Sequence, residues 1–188
     1  IDKIISIGSF KSQLALNYFK KNNLKLRKRF DVCLISEPDA RDIKNYTSSG
    51  LLADYAIQYC EKNNKKLIFS GKSDLRDYNE QKAEKKFYEI NSKSNNNKIK
   101  FQNKSKFDSY RNIAESKLTI AVGSTMLREA IHFKTKVLAC RFFKGNDYFL
   151  PSKKINYISN CSYKDFEKKL NFLLEMPYSA YLKQAGNL

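Results

Sequence analysis

The chain has 188 residues, 41% of them hydrophobic and 13% aromatic, enough to bury one substantial core as one large domain or as one domain plus a piece of another. No apolar run approaches the ~18–20 residues that a bilayer demands, which excludes a membrane-spanning helix. A formal net charge of +17 points to acidic partners (phosphates, anionic lipid, nucleic acid or an anionic sugar), or to a solvated Lys-rich surface.

Of the 36 basic residues only seven are Arg, and base-edge readout favours Arg forks, so sequence-specific nucleic-acid binding is not expected. The four cysteines, Cys33, Cys60, Cys140 and Cys161, are widely spaced without a CxxC, and His132 is the single histidine. That pattern reads as reduced core thiols of a cytoplasmic protein rather than as zinc ligands or disulfides. The chain does not begin with Met and shows no charged-then-apolar leader, which reads as an excised piece.

Ile4–Ile7 is a short apolar strand. Ser9 then caps a helix over Phe10–Lys21, with Leu14, Leu16, Tyr18 and Phe19 on its core side. The basic connector Asn22–Arg29 is the best boundary in the chain. Its Lys25, Arg27, Lys28 and Arg29 read as a charged linker in preference to a membrane or phosphate contact, because they lack an apolar companion. Asp31–Ser36 is a strand, and the loop Glu37–Ser48 after it is long for a strand-to-helix connection, the kind that carries function. Ser48-Ser49 caps a helix over Gly50–Lys62 with Leu51, Leu52, Tyr55, Ala56, Tyr59 and Cys60 inward.

Lys66–Ser70 is the next strand. Ser70-Gly71-Lys72-Ser73 follows it, but a P-loop needs glycine where Lys66 stands, so only a Gly turn with a phosphate-friendly Lys72 remains. A helix over Asn79–Ile90, a polar loop over Asn91–Lys98 and a short strand Ile99–Phe101 come next. A helix over Phe107–Glu115, capped by Ser105, has Tyr110, Ile113 and Ala114 inward.

Leu118–Val122 is a buried strand, Gly123-Ser124-Thr125 breaks it, Met126–Phe133 is helical with Met126, Leu127, Ala130 and Ile131 on its apolar side, and Val137–Cys140 is a strand. This is a parallel βαβ unit, and ligands bind such sheets at the turn beyond the strand's carboxyl end. Gly123 permits close approach, and Ser124 or Thr125 can cap the helix or hold an anion. Glu129 lies too far along for a capping box; it can accept from a ribose diol or pair with a surface Lys. His132 reads as a surface residue turned away from Glu129 by helical spacing. The loop Lys144–Pro151, a strand Ile155–Ser159, a helix Tyr163–Glu175 capped by Ser162 with Phe166, Leu170, Leu173 and Leu174 inward, and a short helix from Pro177 through Lys183 complete the chain.

From Asp31 the order is β-α-β-α-β-α-β-α-β-loop-β-α, which specifies an α/β fold: a Rossmann-like doubly wound parallel sheet with helices on both faces. That layout resembles the C-terminal half of a GT-B glycosyltransferase of the bacterial surface- and capsular-carbohydrate type, and more remotely a UDP-N-acetylglucosamine 2-epimerase. In the epimerase-like pattern a strand ends in Ser-Gly-Gly and a Glu-Ala pair follows. Here Gly123-Ser124-Thr125 stands in the triplet's place, and Glu129-Ala130 falls at the matching spacing.

The resemblance implies donor-phosphate contacts at Gly123, Ser124 and Thr125 and a ribose acceptor at Glu129. Further donor-site candidates are Arg128, Ser36, Glu37, Gly71, Lys72 and Lys144; no catalytic residue is assigned. It implies residues 1–29 as the tail of an N-terminal GT-B domain with its linker, and residues 30–188 as the donor-binding domain with a crossing helix at its end. The expected partners are a nucleotide-sugar donor, a glycan or lipid-linked acceptor and the missing N-terminal domain, with no metal or other cofactor. The expected setting is surface polysaccharide biosynthesis in the cytoplasm, or peripherally at the anionic inner face of the membrane. Two alternatives stand beside this one: a non-catalytic module holding an anionic polymer on its Lys-rich faces, and a sugar-nucleotide epimerase of the same fold.

Overall fold

The computed structural model describes residues 9–35, 48–71, 99–101, 107–142 and 155–186. The expected strand over Ile4–Ile7, the helix over Asn79–Ile90, the loop over Lys144–Pro151 and nearly all of the loop over Glu37–Ser48 lie outside them. Strands β1 (Phe30–Ile35), β2 (Leu67–Ser70), β3 (Ile99–Phe101), β4 (Ser116–Ala121), β5 (Lys136–Arg141) and β6 (Tyr157–Ser159) form one six-stranded sheet in the order β3-β2-β1-β4-β5-β6. Every pairing is parallel, from Val32 beside Leu67 and Leu118 to Ala139 beside Tyr157. β1, β2, β4 and β5 are buried almost throughout, as strands covered on both faces must be.

Helices α1 (Phe10–Lys21) and α3 (Asp108–Ala114) form one layer with the segment after β4. Phe19 meets Phe133 at 6.4 Å between ring centroids, Tyr18 meets Phe107 at 5.4 Å, and Tyr110 meets Phe133 at 5.7 Å. Helices α2 (Ser48–Lys62) and α5 (Tyr163–Glu175) form the other layer. There Tyr55 packs against Tyr163 and Phe166, and the Tyr59 hydroxyl donates to Asn171 at 2.6 Å.

Several faces differ from the expected ones. α1 buries Ser12, Ala15 and Phe19, while Leu14 is exposed. Small Ala15 lets the helix approach closely, and the Ser12 hydroxyl donates to the Ser9 carbonyl at 2.9 Å, so a polar side chain is tolerated inside. α2 buries Ala53 and Ile57 along with Leu52, Ala56, Tyr59 and Cys60 of the expected stripe, while Leu51 and Tyr55 are half-buried, because it lies between the sheet and α5. α3 begins after Phe107, which is in a left-handed conformation (φ 64°) and makes no side-chain cap; the expected cap residue Ser105 lies outside the described residues. α4 is short, Met126–Glu129, and tightens into a 3-10 turn over Ala130–Phe133. Leu127, Ala130 and Phe133 are buried at three-residue spacing, whereas Met126 and Ile131 are half-buried, since a 3-10 turn repeats every ~3 residues.

At the amino ends of the strands, basic residues are structural. The Lys28 ammonium donates to the Ser116 carbonyl (2.7 Å) and to Thr135 Oγ1 (2.8 Å). Lys136 donates to the carbonyls of Leu173, Leu174 (3.2 Å) and Met176 (2.7 Å), covering the open C-terminal end of α5. Asp31 accepts from Lys117 Nζ at 2.8 Å and the Lys66 backbone at 2.9 Å. Against the burial that would raise it, those bonds and the charges of Lys117 and Lys65 hold the Asp31 carboxyl below its usual range. The four cysteines are free thiols. Ser162 caps α5 in a complete capping box with Asp165, and Pro177 precedes α6 (Tyr178–Ala185).

Candidate functional site

The strand order reverses between β1 and β4, so the crevice at their carboxyl ends is the switch point where sheets of this kind take ligands. Described segments at that edge include Ser70-Gly71 at the end of β2, Val122–Thr125 after β4, and Arg141-Phe142 at the end of β5. Gly71 and the Gly123-Ser124-Thr125 turn thus share one edge of the sheet. Ser36, Glu37, Lys72 and Lys144 lie outside the described residues.

The turn after β4 is organised by Ser124. Its hydroxyl accepts the Met126 N–H at 3.3 Å, and its carbonyl accepts the Leu127 N–H at 3.0 Å. Thr125 occupies the cap position in helical conformation without a side-chain bond to the helix. Arg128 is exposed, and its N–H donates to the Thr125 carbonyl at 3.0 Å.

Glu129 is the last residue of α4 and is half-buried. Its Oε1 accepts the Ser9 hydroxyl at 2.7 Å and its Oε2 accepts the Tyr110 hydroxyl at 2.7 Å. No surface lysine is needed to account for it. Burial first, then the bond to the Glu129 carboxylate and its charge, push the Tyr110 phenol well above its ordinary range, so Tyr110 remains a donor at neutral pH.

His132 is exposed, as expected, but is not turned away from Glu129. The 3-10 turn stacks residues three apart, and His132 Nδ1 lies 2.6 Å from Ser12 Oγ. Glu129 and His132 therefore grip α1 at Ser9 and Ser12, one rung each. Sequence reasoning placed Ser9 as a helix cap and Tyr110 as a core residue, and missed both as partners of Glu129. The matching three-residue spacings, Ser9 to Ser12 and Glu129 to His132, were the only available signal.

The arrangement offers an oriented anionic acceptor one helical turn past a glycine-containing turn, at the sheet's switch point. Among the described residues no cluster of His, Cys, Asp and Glu is arranged to hold a metal ion, and no helix is long and apolar enough to cross a membrane.

No protein-family model and no curated protein sequence matches this chain. Solved structures do match. Methanocaldococcus jannaschii UDP-GlcNAc 2-epimerase, in complex with UDP-GlcNAc and UDP, superposes with a TM-score of 0.61 at 16% identity over 99% of this chain and 52% of its own. E. coli ADP-heptose LPS heptosyltransferase II superposes with a TM-score of 0.51 at 12% identity over 90% of this chain and 53% of its own. This chain spans about half the length of each. At these identities the likeness is one of architecture: the chain has the Rossmann-like parallel sheet of a GT-B half, with helices on both faces.

Proposed function

We propose that this chain is the nucleotide-sugar-binding half of a GT-B glycosyltransferase acting in surface polysaccharide biosynthesis. The observation that carries the reading is Glu129, a carboxylate held by two hydroxyl donors one turn beyond Gly123-Ser124-Thr125 at the carboxyl end of β4. In this reading the Gly123-Ser124-Thr125 turn contacts the donor's phosphates and Glu129 accepts the ribose hydroxyls. Arg128 and Gly71, with Ser36, Glu37, Lys72 and Lys144 beyond the described residues, complete the donor site. Cationic side chains would stabilise the departing nucleotide phosphate without a metal. Residues 1–29 would be the tail and linker of a preceding domain, which would supply the acceptor site.

Thermal melting with UDP, CMP and GDP tests this. One of them raises the melting temperature of the wild-type chain, and Glu129→Ala removes the shift. Absence of a shift with all three would overturn the reading.

A second reading, a sugar-nucleotide epimerase, is favoured by the epimerase superposition over 99% of the chain. It requires acid–base groups in a cleft, and the single histidine here is engaged with Ser12. In the longer protein, acceptor-dependent release of free nucleotide supports transfer. Interconversion of two nucleotide-sugars without release supports the epimerase.

A further inference from the structure

Glu129 is fixed from two sides by elements that are far apart in the chain. Ser9, the N-cap of α1, donates to Oε1, and Tyr110, in α3, donates to Oε2. Each donor is itself fixed. Ser9 Oγ also accepts the Ser12 N–H at 3.3 Å. One turn further on, α1 is tied again by Ser12 and His132. There Ser12 Oγ lies 2.9 Å from the Ser9 carbonyl and 2.6 Å from His132 Nδ1, a hydrogen bond whose direction follows the imidazole tautomer. The Tyr110 ring is set between Phe107 (6.1 Å) and Phe133 (5.7 Å). A carboxylate oxygen has two lone pairs, and each of these donors uses one of them.

We propose that Ser9 and Tyr110 are positioning residues for nucleotide recognition: they orient the Glu129 carboxylate so that its remaining lone pairs accept a ribose diol, which makes α1 part of the binding site. The inference rests on the reading of Glu129 as the ribose acceptor and adds the condition that α1 be docked. The physical gain is pre-organisation. A free Glu side chain must lose its rotamer freedom when ligand binds, whereas one already held by two hydroxyls has lost it on folding.

The test is calorimetric titration of the full chain with whichever of UDP, CMP or GDP raises its melting temperature, and with the 2′-deoxy counterpart. Wild type prefers the ribonucleotide on the order of tenfold, the size of one hydrogen bond to a charged group. Ser9→Ala and Tyr110→Phe each weaken ribonucleotide binding on the order of tenfold and weaken binding of the 2′-deoxy counterpart, which keeps only the 3′-hydroxyl, by distinctly less, so the preference falls toward one. Ser9→Thr, which keeps the hydroxyl, restores it.

A purely structural role would instead weaken both ligands together, and that outcome overturns the proposal. So does tighter binding by Ser9→Ala, which would mean that Ser9 occupies the ribose position. If Glu129→Ala abolishes the preference but Ser9→Ala and Tyr110→Phe retain it, the positioning role falls and the ribose role of Glu129 stands. If no ribonucleotide binds the wild-type chain, both fall.

Discussion

The Tyr181 phenol donates to the Val137 carbonyl at 3.1 Å and accepts the Val137 N–H at 3.2 Å. Val137 lies on β5 two residues before the first residue paired with β6, Ala139 beside Tyr157. One side chain of α6 therefore completes the backbone pairing of a buried strand where its neighbour has not begun. Tyr181 is fully buried, and that burial raises its hydroxyl's pKa to about 12.

Tyr181→Phe leaves both Val137 groups without that partner. It should cost about 1–3 kcal/mol of stability, the penalty for unmet buried hydrogen bonds. Tyr178→Phe, which removes only a half-buried 3.3 Å bond to the Ile131 carbonyl, should cost less than about 1 kcal/mol. Urea unfolding of the two variants checks the ranking.

Ala15 is fully buried where α1 meets the rest of the fold. Ala15→Leu overpacks that contact and should destabilise by about 1–3 kcal/mol. Because α1 carries Ser9 to Glu129, the same variant should lose the ribonucleotide affinity proposed above while retaining the parallel sheet by circular dichroism. Unchanged affinity in a loosened α1 would separate the helix from the site.

The buried thiols should contribute to a loss of stability at alkaline pH. Burial pushes Cys33 up to about 12, and raises Cys60 and Cys140 as well. In the unfolded chain a thiol titrates near ~8.5. Above that pH the unfolded state gives up protons that the native state keeps, so the native state binds more of them and stability falls as pH rises. Replacing all three by Ala should flatten the decline between pH 9 and 10, as read from unfolding free energy at each pH.

Lys28 works in the opposite direction. Its enclosure between Ser116 and Thr135, with Lys136 close by, lowers it from 10.5 to about 8. Between those values the unfolded state binds the extra proton, so this group's contribution to stability rises with pH. Lys28→Met removes that rise, and its stability should decline more steeply than wild type from pH 8 to 10. A parallel decline would show that the ammonium is not enclosed in solution.

Much of the architecture was legible because its signals are local. From Asp31 onward, six β-branched or apolar runs set among helical patterns specified a parallel, doubly wound sheet, and each of those six holds a strand, while the earlier run Ile4–Ile7 lies outside the described residues. The helix over Tyr163–Glu175 was readable to the residue, since Ser162 and Asp165 advertise its start and apolar spacing marks its face. The α1 bounds were equally clear, but its buried face was not: Leu14 looks more hydrophobic than Ser12, and only the partner surface makes Ser12 the inner residue.

What the sequence determined by itself was the succession of elements, the turn at Gly123-Ser124-Thr125 and the oddity of a carboxylate at Glu129. Tertiary structure decided the rest. It chose the strand order that sets β4 beside β1, shortened α4 into a 3-10 turn that brings His132 round to Ser12, and delivered Ser9 and Tyr110 to the two oxygens of Glu129. It also made Lys28, read from sequence as part of a charged linker, and Lys136 fasteners of the sheet's amino edge. Periodicity and capping are recorded within a few neighbouring residues, whereas a hydrogen bond spanning 120 residues of chain depends on how whole layers pack.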